Sequence, residues 1–136
     1  MRYLLLVEVF GTFGVSTRAR IENSVYEHML ARKSKFFIRP NAKQCLAQLH
    51  DLFKLIIYSS KEEKDVRPVA THIAPFVHTL FCKPFNRLDF EISDTENSTM
   101  RNLPMVWEAL RHKFGPTNTI MVDTSHQKMR GLAGGK

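Results

Sequence analysis

The pattern that most restricts this chain is an alternation of short, unbroken apolar runs with segments whose apolar residues recur at helical spacing. Tyr3–Val9, Phe36–Ile38, Leu55–Tyr58, His78–Cys82 and Thr119–Val122 have strand length and strand composition. Between them, Ala42, Cys45, Leu46, Leu49, Leu52 and Phe53 share one face of a helix predicted over Pro40–Phe53. Leu103, Val106, Trp107 and Leu110 share a face of another, with Pro104 in its first turn and Gly115–Pro116 as its stop. The charged run Lys61–Asp65 opens a third through Val66, Val69, Ala70 and Ile73, which Pro68 predicts to be short or distorted. Such alternation implies right-handed βαβ units. The expected fold class is α/β: a three-layer sandwich with a mostly parallel central sheet and helices on both faces.

Three of the strands end on polar groups. Glu8 is the single carboxylate of the apolar opening run, just ahead of the turn at Gly11; Ser59 and Ser60 follow Tyr58; Asp123 closes the last strand, before Thr124 and Ser125. Ligands of open α/β sheets gather beyond the carboxyl ends of the strands, so topology would bring Glu8, Ser59 and Asp123 together. Plainer alternatives stay open: Glu8 marks the strand's exit into solvent, Tyr58–Ser60 cap the following helix, and Trp107 belongs to the core and is not a base-stacking platform. The basic segment Arg18–Ser34 reads as an insertion or short helix within an insertion at 18–35. Residues 83–101 form a polar insertion, a hairpin or irregular excursion with alternating Leu88, Phe90 and Ile92, in which Ser93–Thr99 is a solvated loop.

A length of 136 residues suits one domain, and 43% hydrophobic residues suffice for a core. No run reaches the roughly 20 apolar residues of a membrane span, and the apolar start lacks a secretory cleavage site, so a soluble protein without membrane insertion is expected. No presequence is readable in the chain. Cys45 and Cys82 lack a nearby thiol or a histidine pair at zinc spacing, and the six histidines form no HxxxH or HExxH, which argues against a disulfide framework or a zinc site. The net charge is +7, with 8 basic against 3 acidic residues in 1–50, 6 against 8 in 51–100, and 6 against 2 in 101–136. Basic ends favour a polyanionic environment through counterion release. Arg18, Arg20, Arg32, Lys33, Lys35, Lys128 and Arg130 are the candidate RNA-backbone contacts, against the plainer reading of Arg32–Lys35 as a solvated loop.

The order of these pieces resembles the haloacid dehalogenase superfamily, in its C-terminal-domain phosphatase or NLI-interacting-factor-like branch. Five short motifs carry the resemblance. The opening DxDx[TV] motif is matched by Glu8-Val9-Phe10-Gly11-Thr12, and an Arg-Pro-Gly helix entry by Arg39-Pro40-Asn41. A Phe-Thr-Ala-Ser-like strand end is matched by Tyr58-Ser59-Ser60-Lys61; a Lys-Asp-Leu helix start and a terminal Val-Asp-Asn-Ser are matched by Arg101-Asn102-Leu103 and Val122-Asp123-Thr124-Ser125. The resemblance implies a Rossmann-like single domain over residues 1–136 without a cap domain. It further implies that position 8 is the nucleophile and Mg²⁺ ligand, position 10 the general acid and base, Arg101 the phosphate-neutralising cation and Asp123 a metal carboxylate.

The substitutions fall on the chemistry. Glu8 keeps the charge but is one methylene longer, while in-line attack tolerates little misplacement. Phe10 cannot transfer a proton, and losing that group typically costs about 10²- to 10⁴-fold in rate. Arg101 keeps a charge but not a point geometry, and Thr124 stands where a second Asp or Asn is usual. Degenerate positions Glu8, Phe10, Thr12, Ser59, Arg101 and Asp123 therefore imply a pseudophosphatase with no catalytic residues. Such a protein is expected to act as a structural or interaction subunit among the proteins of a large complex, with RNA backbone as a partner and no small-molecule substrate. An organellar, mitochondrial ribosome or assembly particle fits the charge; nucleus or cytoplasm is the alternative. No cofactor is expected; Mg²⁺, if bound, would use Asp123 and Glu8. The competing expectations are a weak Mg²⁺-dependent phosphoserine/threonine phosphatase, and a non-cleaving phospho-ligand reader that uses Ser59, Lys61 and Arg101.

Overall fold

The computed structural model describes residues 2–17, 27–31, 34–83, 91–95 and 98–124. Four strands form a parallel sheet: β1 (Leu4–Val7), β5 (Lys54–Glu62), β6 (Leu80–Lys83) and β9 (Thr119–Val122), in the order β6-β5-β1-β9. Central β1 pairs Val7 with Ile57 on one side and Val122 on the other. The remaining described elements are β2 (Gly14–Thr17), β3 (His28–Ala31), β4 (Ser34–Ile38), β7 (Glu91–Thr95), β8 (Ser98–Arg101), α1 (Ala42–Leu52), α2 (Glu63–Ile73) and α3 (Leu103–Ala109).

Because strand side chains alternate, each apolar run covers both faces of the sheet. Leu5, Val7, Leu55 and Ile57 join Leu46 of α1 and Val66, Val69 and Ile73 of α2 in one cluster. Leu4, Leu6, Ile56, Tyr58 and Met121 join Leu103 and Val106 of α3 in the other. That is the three-layer α/β sandwich expected, and it explains why β1 is apolar without interruption: all four of its residues are buried. The chain steps outward from β1 through β5 to β6 and then returns to β9 on the far side, so the connections diverge at β1 and open a crevice at the carboxyl ends there.

Several boundaries differ from expectation. The segment expected as an insertion or short helix, Arg18–Ser34, contributes strand β3, and β2 forms just ahead of it; the two flank β4 in an antiparallel sheet of order β2-β4-β3, with residues 18–26 and 32–33 outside the described set. The period-2 signal there is only four residues long in each strand, too brief to outweigh scattered helix-spaced residues. Helix α1 begins at Ala42, not Pro40, because Asn41 adopts a left-handed conformation (φ 65°). Its expected face is only partly used: Ala42 and Leu46 are buried, while Cys45 and Leu52 are exposed. Strand β5 runs through Ser59 and Ser60 to Glu62, so the charged run starts in a strand and the helix opens at Glu63. Pro68 does not shorten α2, which spans 11 residues. Residues 91–101 contain a β7–β8 hairpin, so Ser93–Thr95 and Ser98–Thr99 are strand where a solvated loop was expected.

Helix α3 stops well before Gly115. Arg111 N–H donates to the Glu108 carbonyl (2.9 Å) and His112 N–H to that of Trp107 (2.8 Å), the paired bonds of a Schellman turn. Arg111 (φ 58°) and His112 (φ 57°) are both left-handed, a conformation that costs an L-residue roughly 1–2 kcal/mol. Trp107 is core, as expected: it packs on the Leu103 cluster, and its Nε1–H donates to Thr119 Oγ1 (2.9 Å).

The antiparallel sheet is closed against the core by a glycine. A Cβ added at Gly14 would lie 2.4 Å from Phe36 Cζ and 2.5 Å from the Phe37 carbonyl oxygen. We expect Gly14→Ala to destabilise the protein by about 1–3 kcal/mol, the usual range for overpacking, read as a lower urea midpoint at unchanged slope.

Candidate functional site

The crevice is built by the ends of β1, β5 and β9. Beyond Val7 the chain continues in register: Glu8 N–H donates to the Val122 carbonyl (2.9 Å), which places Glu8 next to the strand that leads into Asp123. A turn follows. Gly11 N–H donates to the Gly14 carbonyl (2.7 Å), Phe13 N–H to that of Val9 (3.1 Å), and the Thr12 hydroxyl to that of Glu8. Gly11 has φ 91°, and a Cβ there would meet Thr124 Cγ2 at 2.9 Å, so glycine lets the β1 turn sit against the residue after Asp123.

Glu8 does not mark an exit into solvent. Its residue is 6% exposed, and the carboxylate accepts two main-chain N–H groups: Phe10 on Oε1 (3.1 Å) and Ser60 on Oε2 (3.3 Å). One donor comes from its own turn and the other from β5, 52 positions along the chain. A carboxylate withdrawn from water needs such donors, since an unpaired buried charge is very costly. Ser59 is fully buried, and its hydroxyl accepts the Lys61 N–H (3.2 Å). Serine capping of the next helix is therefore corrected: the N-cap of α2 is Glu62, and no side chain caps it.

Phe10 turns its ring edge-on to Phe36, with centroids 5.2 Å apart, and Lys61 Nζ lies 5.0 Å from the Phe10 centroid. The position expected to hold a proton carrier thus holds a ring sandwiched between an aromatic and a cation. Cys82 lies close enough to Glu8 and Glu63 to feel their charge; burial first, then Glu63, pushes its thiol up to about 11 against a partly offsetting Arg67.

Of the positions read from sequence, the structure gathers Glu8, Phe10, Thr12, Ser59, Lys61 and Asp123 around the ends of the three strands. Arg101 is the last residue of β8, and its side chain lies outside the described set. The adjoining Asn102 N–H donates to Tyr58 Oη (3.3 Å), which ties that junction to the strand carrying Ser59. Of the RNA-contact candidates, Lys35 is half-buried on β4, whereas Arg18, Arg20, Arg32, Lys33, Lys128 and Arg130 lie outside the described residues. Sequence reading missed the N–H groups of Phe10 and Ser60, because a main-chain donor has no residue signature.

Among the described residues no group of three or more His, Cys, Asp or Glu is placed to hold a metal. Mg²⁺ is commonly held by one or two carboxylates plus waters, and Glu8 and Asp123, at the ends of adjacent strands, meet that lower requirement.

The sequence pattern of the NLI interacting factor-like phosphatases matches residues 11–132. No curated protein sequence matches the chain. Among solved structures, the chain is similar to fission yeast RNA polymerase II CTD phosphatase Fcp1, in an arginine-to-alanine variant bound to beryllium fluoride. The TM-score is 0.59 at 15% identity, over 93% of this chain and 38% of that one. At that identity the likeness concerns the fold.

Closure of the site floor is checked with a thiol reagent near pH 8. We expect one cysteine, exposed Cys45, to react quickly, and Cys82 to react at least about a hundredfold more slowly until denaturant is added, since the thiolate is the reactive form.

Proposed function

Because the chain belongs to the NLI interacting factor-like phosphatase family, we propose that it keeps the family scaffold as a catalytically inactive domain and serves as a structural or interaction subunit of a larger assembly. The observation that carries this reading is the Glu8 carboxylate, buried and bound by the N–H groups of Phe10 and Ser60. A nucleophile must bring a free oxygen to within about 3–3.5 Å of phosphorus in line with the leaving group. Here the longer side chain reaches main-chain donors instead. Leaving-group protonation has no agent at position 10, whose ring packs between Phe36 and Lys61.

Glu8 and Asp123 are the residues that would hold Mg²⁺, which when bound would offset negative charge on a phosphoryl group. On this reading, the described Glu8 oxygens are held by main-chain N–H groups, and position 10 offers no proton carrier. Lys61, a candidate phosphate contact, is directed over the Phe10 ring, which argues against the phospho-ligand reader.

The assembly proposed is a ribonucleoprotein, with a mitochondrial ribosome or its assembly particle as the leading candidate. The net charge of +7, concentrated in both terminal thirds, supports RNA backbone as a partner and a role without a small-molecule substrate.

Two measurements test this. With Mg²⁺, Mn²⁺ or Co²⁺, the chain is expected to show no hydrolysis of an aryl phosphate above background; turnover lost in Asp123→Ala would instead establish the weak phosphatase. Restoring the two aspartates of the family motif, Glu8→Asp with Phe10→Asp, is expected to bring turnover up by about 10²-fold or more above background. Affinity purification of the tagged chain at moderate salt is expected to retain RNA and ribosomal proteins, and their absence would refute the assembly.

A further inference from the structure

The sheet end opposite Glu8 carries a different feature. Lys54 opens β5 beside Leu4, and the end of α3 folds over it; together they surround a hollow of about 300 Å³ lined by Lys54, Ala109, Leu110, Arg111, Lys113 and Phe114. Three cations stand round an apolar floor, and no carboxylate lines it. Among the described residues none of these three cations makes an ion pair. By contrast, Lys43 and His72 pair with Glu27, Lys64 with Glu62, and Arg67 with Glu63, while Arg39 engages a carbonyl and Lys61 an aromatic ring.

The rim is also held in a costly conformation. Arg111 occupies the position of the Schellman turn that glycine ordinarily takes, and His112 follows it in the same left-handed region. Gly115, four residues later, stands in open space where a side chain would meet nothing within 4 Å. The helix end thus places an arginine where the backbone favours glycine, turning Arg111 and Lys113 onto one hollow. Strained backbone of this kind collects at functional positions.

We propose that this hollow is a contact surface for the phosphate backbone of single-stranded RNA, with Lys54, Arg111 and Lys113 as the phosphate contacts. Unpaired cations around a half-buried aromatic, Phe114, are the combination with which proteins hold single strands without reading sequence. The hollow, about 300 Å³, is of nucleotide size, at the small end of ligand pockets. In choosing RNA over an acidic peptide the inference rests on the ribonucleoprotein reading above; its location rests on the charges and the turn alone. The surface lies across the sheet from the Glu8 crevice, so its variants leave that site intact.

The test is fluorescence anisotropy of the full chain with a labelled oligouridine as salt is varied. Wild-type affinity should fall with a log–log slope to which these three cations contribute about −2, because each phosphate contact on a single strand adds about −0.7. The variant Lys54→Gln/Arg111→Gly/Lys113→Gln should flatten that slope by about 2 and weaken binding about tenfold or more at low salt. Lys43→Gln/Lys64→Gln/Arg67→Gln, which removes equal charge from the ion-paired set, should leave the slope unchanged. Arg111→Gly alone should raise the melting temperature while flattening the slope by about 0.7, separating lost contact from lost folding. Equal flattening in the control variant, or competition by polyglutamate as strong as by RNA, overturns the proposal. If the triple variant retains RNA in the purified particle as well as wild type does, this surface fails while the ribonucleoprotein reading stands. If wild type binds no RNA at all, both fall.

Discussion

The structure depends on where β1 lies. As the central strand of a parallel sheet it is covered on both faces, so every side chain from Leu4 to Val7 must be apolar. Glu8, the next residue, inherits the dry surroundings without the means to tolerate them alone. Its charge is satisfied by two main-chain N–H groups whose positions are fixed by the fold: Phe10 through the turn that Gly11 permits, and Ser60 through the register of β5 on β1. The proposal that the domain is inactive rests on these same bonds.

Much of the fold is legible in the sequence because the sheet imposes a parity that survives in the residues. Leu4, Leu6, Ile56 and Tyr58 face α3, while Leu5, Val7, Leu55 and Ile57 face α1 and α2, and the helices show matching apolar spacing. The antiparallel sheet was not legible: β2 and β3 have four residues each, expose Val15 and Leu30, and owe their pairing to Phe36 and Ile38 of β4. Helix ends were misplaced where the chain uses left-handed residues other than glycine. Asn41 delays α1, and Arg111 ends α3 ahead of the Gly115–Pro116 signal.

At the candidate site the residues were legible and their relations were not. Strand ends pointed to Glu8, Ser59 and Asp123, and topology delivered them. Nothing in the letters shows that the Ser59 hydroxyl is occupied by the Lys61 N–H, or that the Lys61 ammonium covers Phe10. These contacts depend on β5 continuing past its apolar run to Glu62, an extension through serines and charges that β-propensity disfavours. The two ends of the sheet thus differ in kind. One is a crevice whose charge is internally satisfied; the other is a hollow whose cations make no ion pair among the described residues.

The central claim, that Glu8 is bound by its own backbone and not available to phosphorus, is tested most directly by ¹⁹F NMR of the chain with Mg²⁺ and beryllium fluoride, a phosphoryl mimic that adds to a free active-site carboxylate. The account predicts only free fluoride species with the wild-type chain. A bound, protein-dependent resonance that disappears in Glu8→Gln would contradict it.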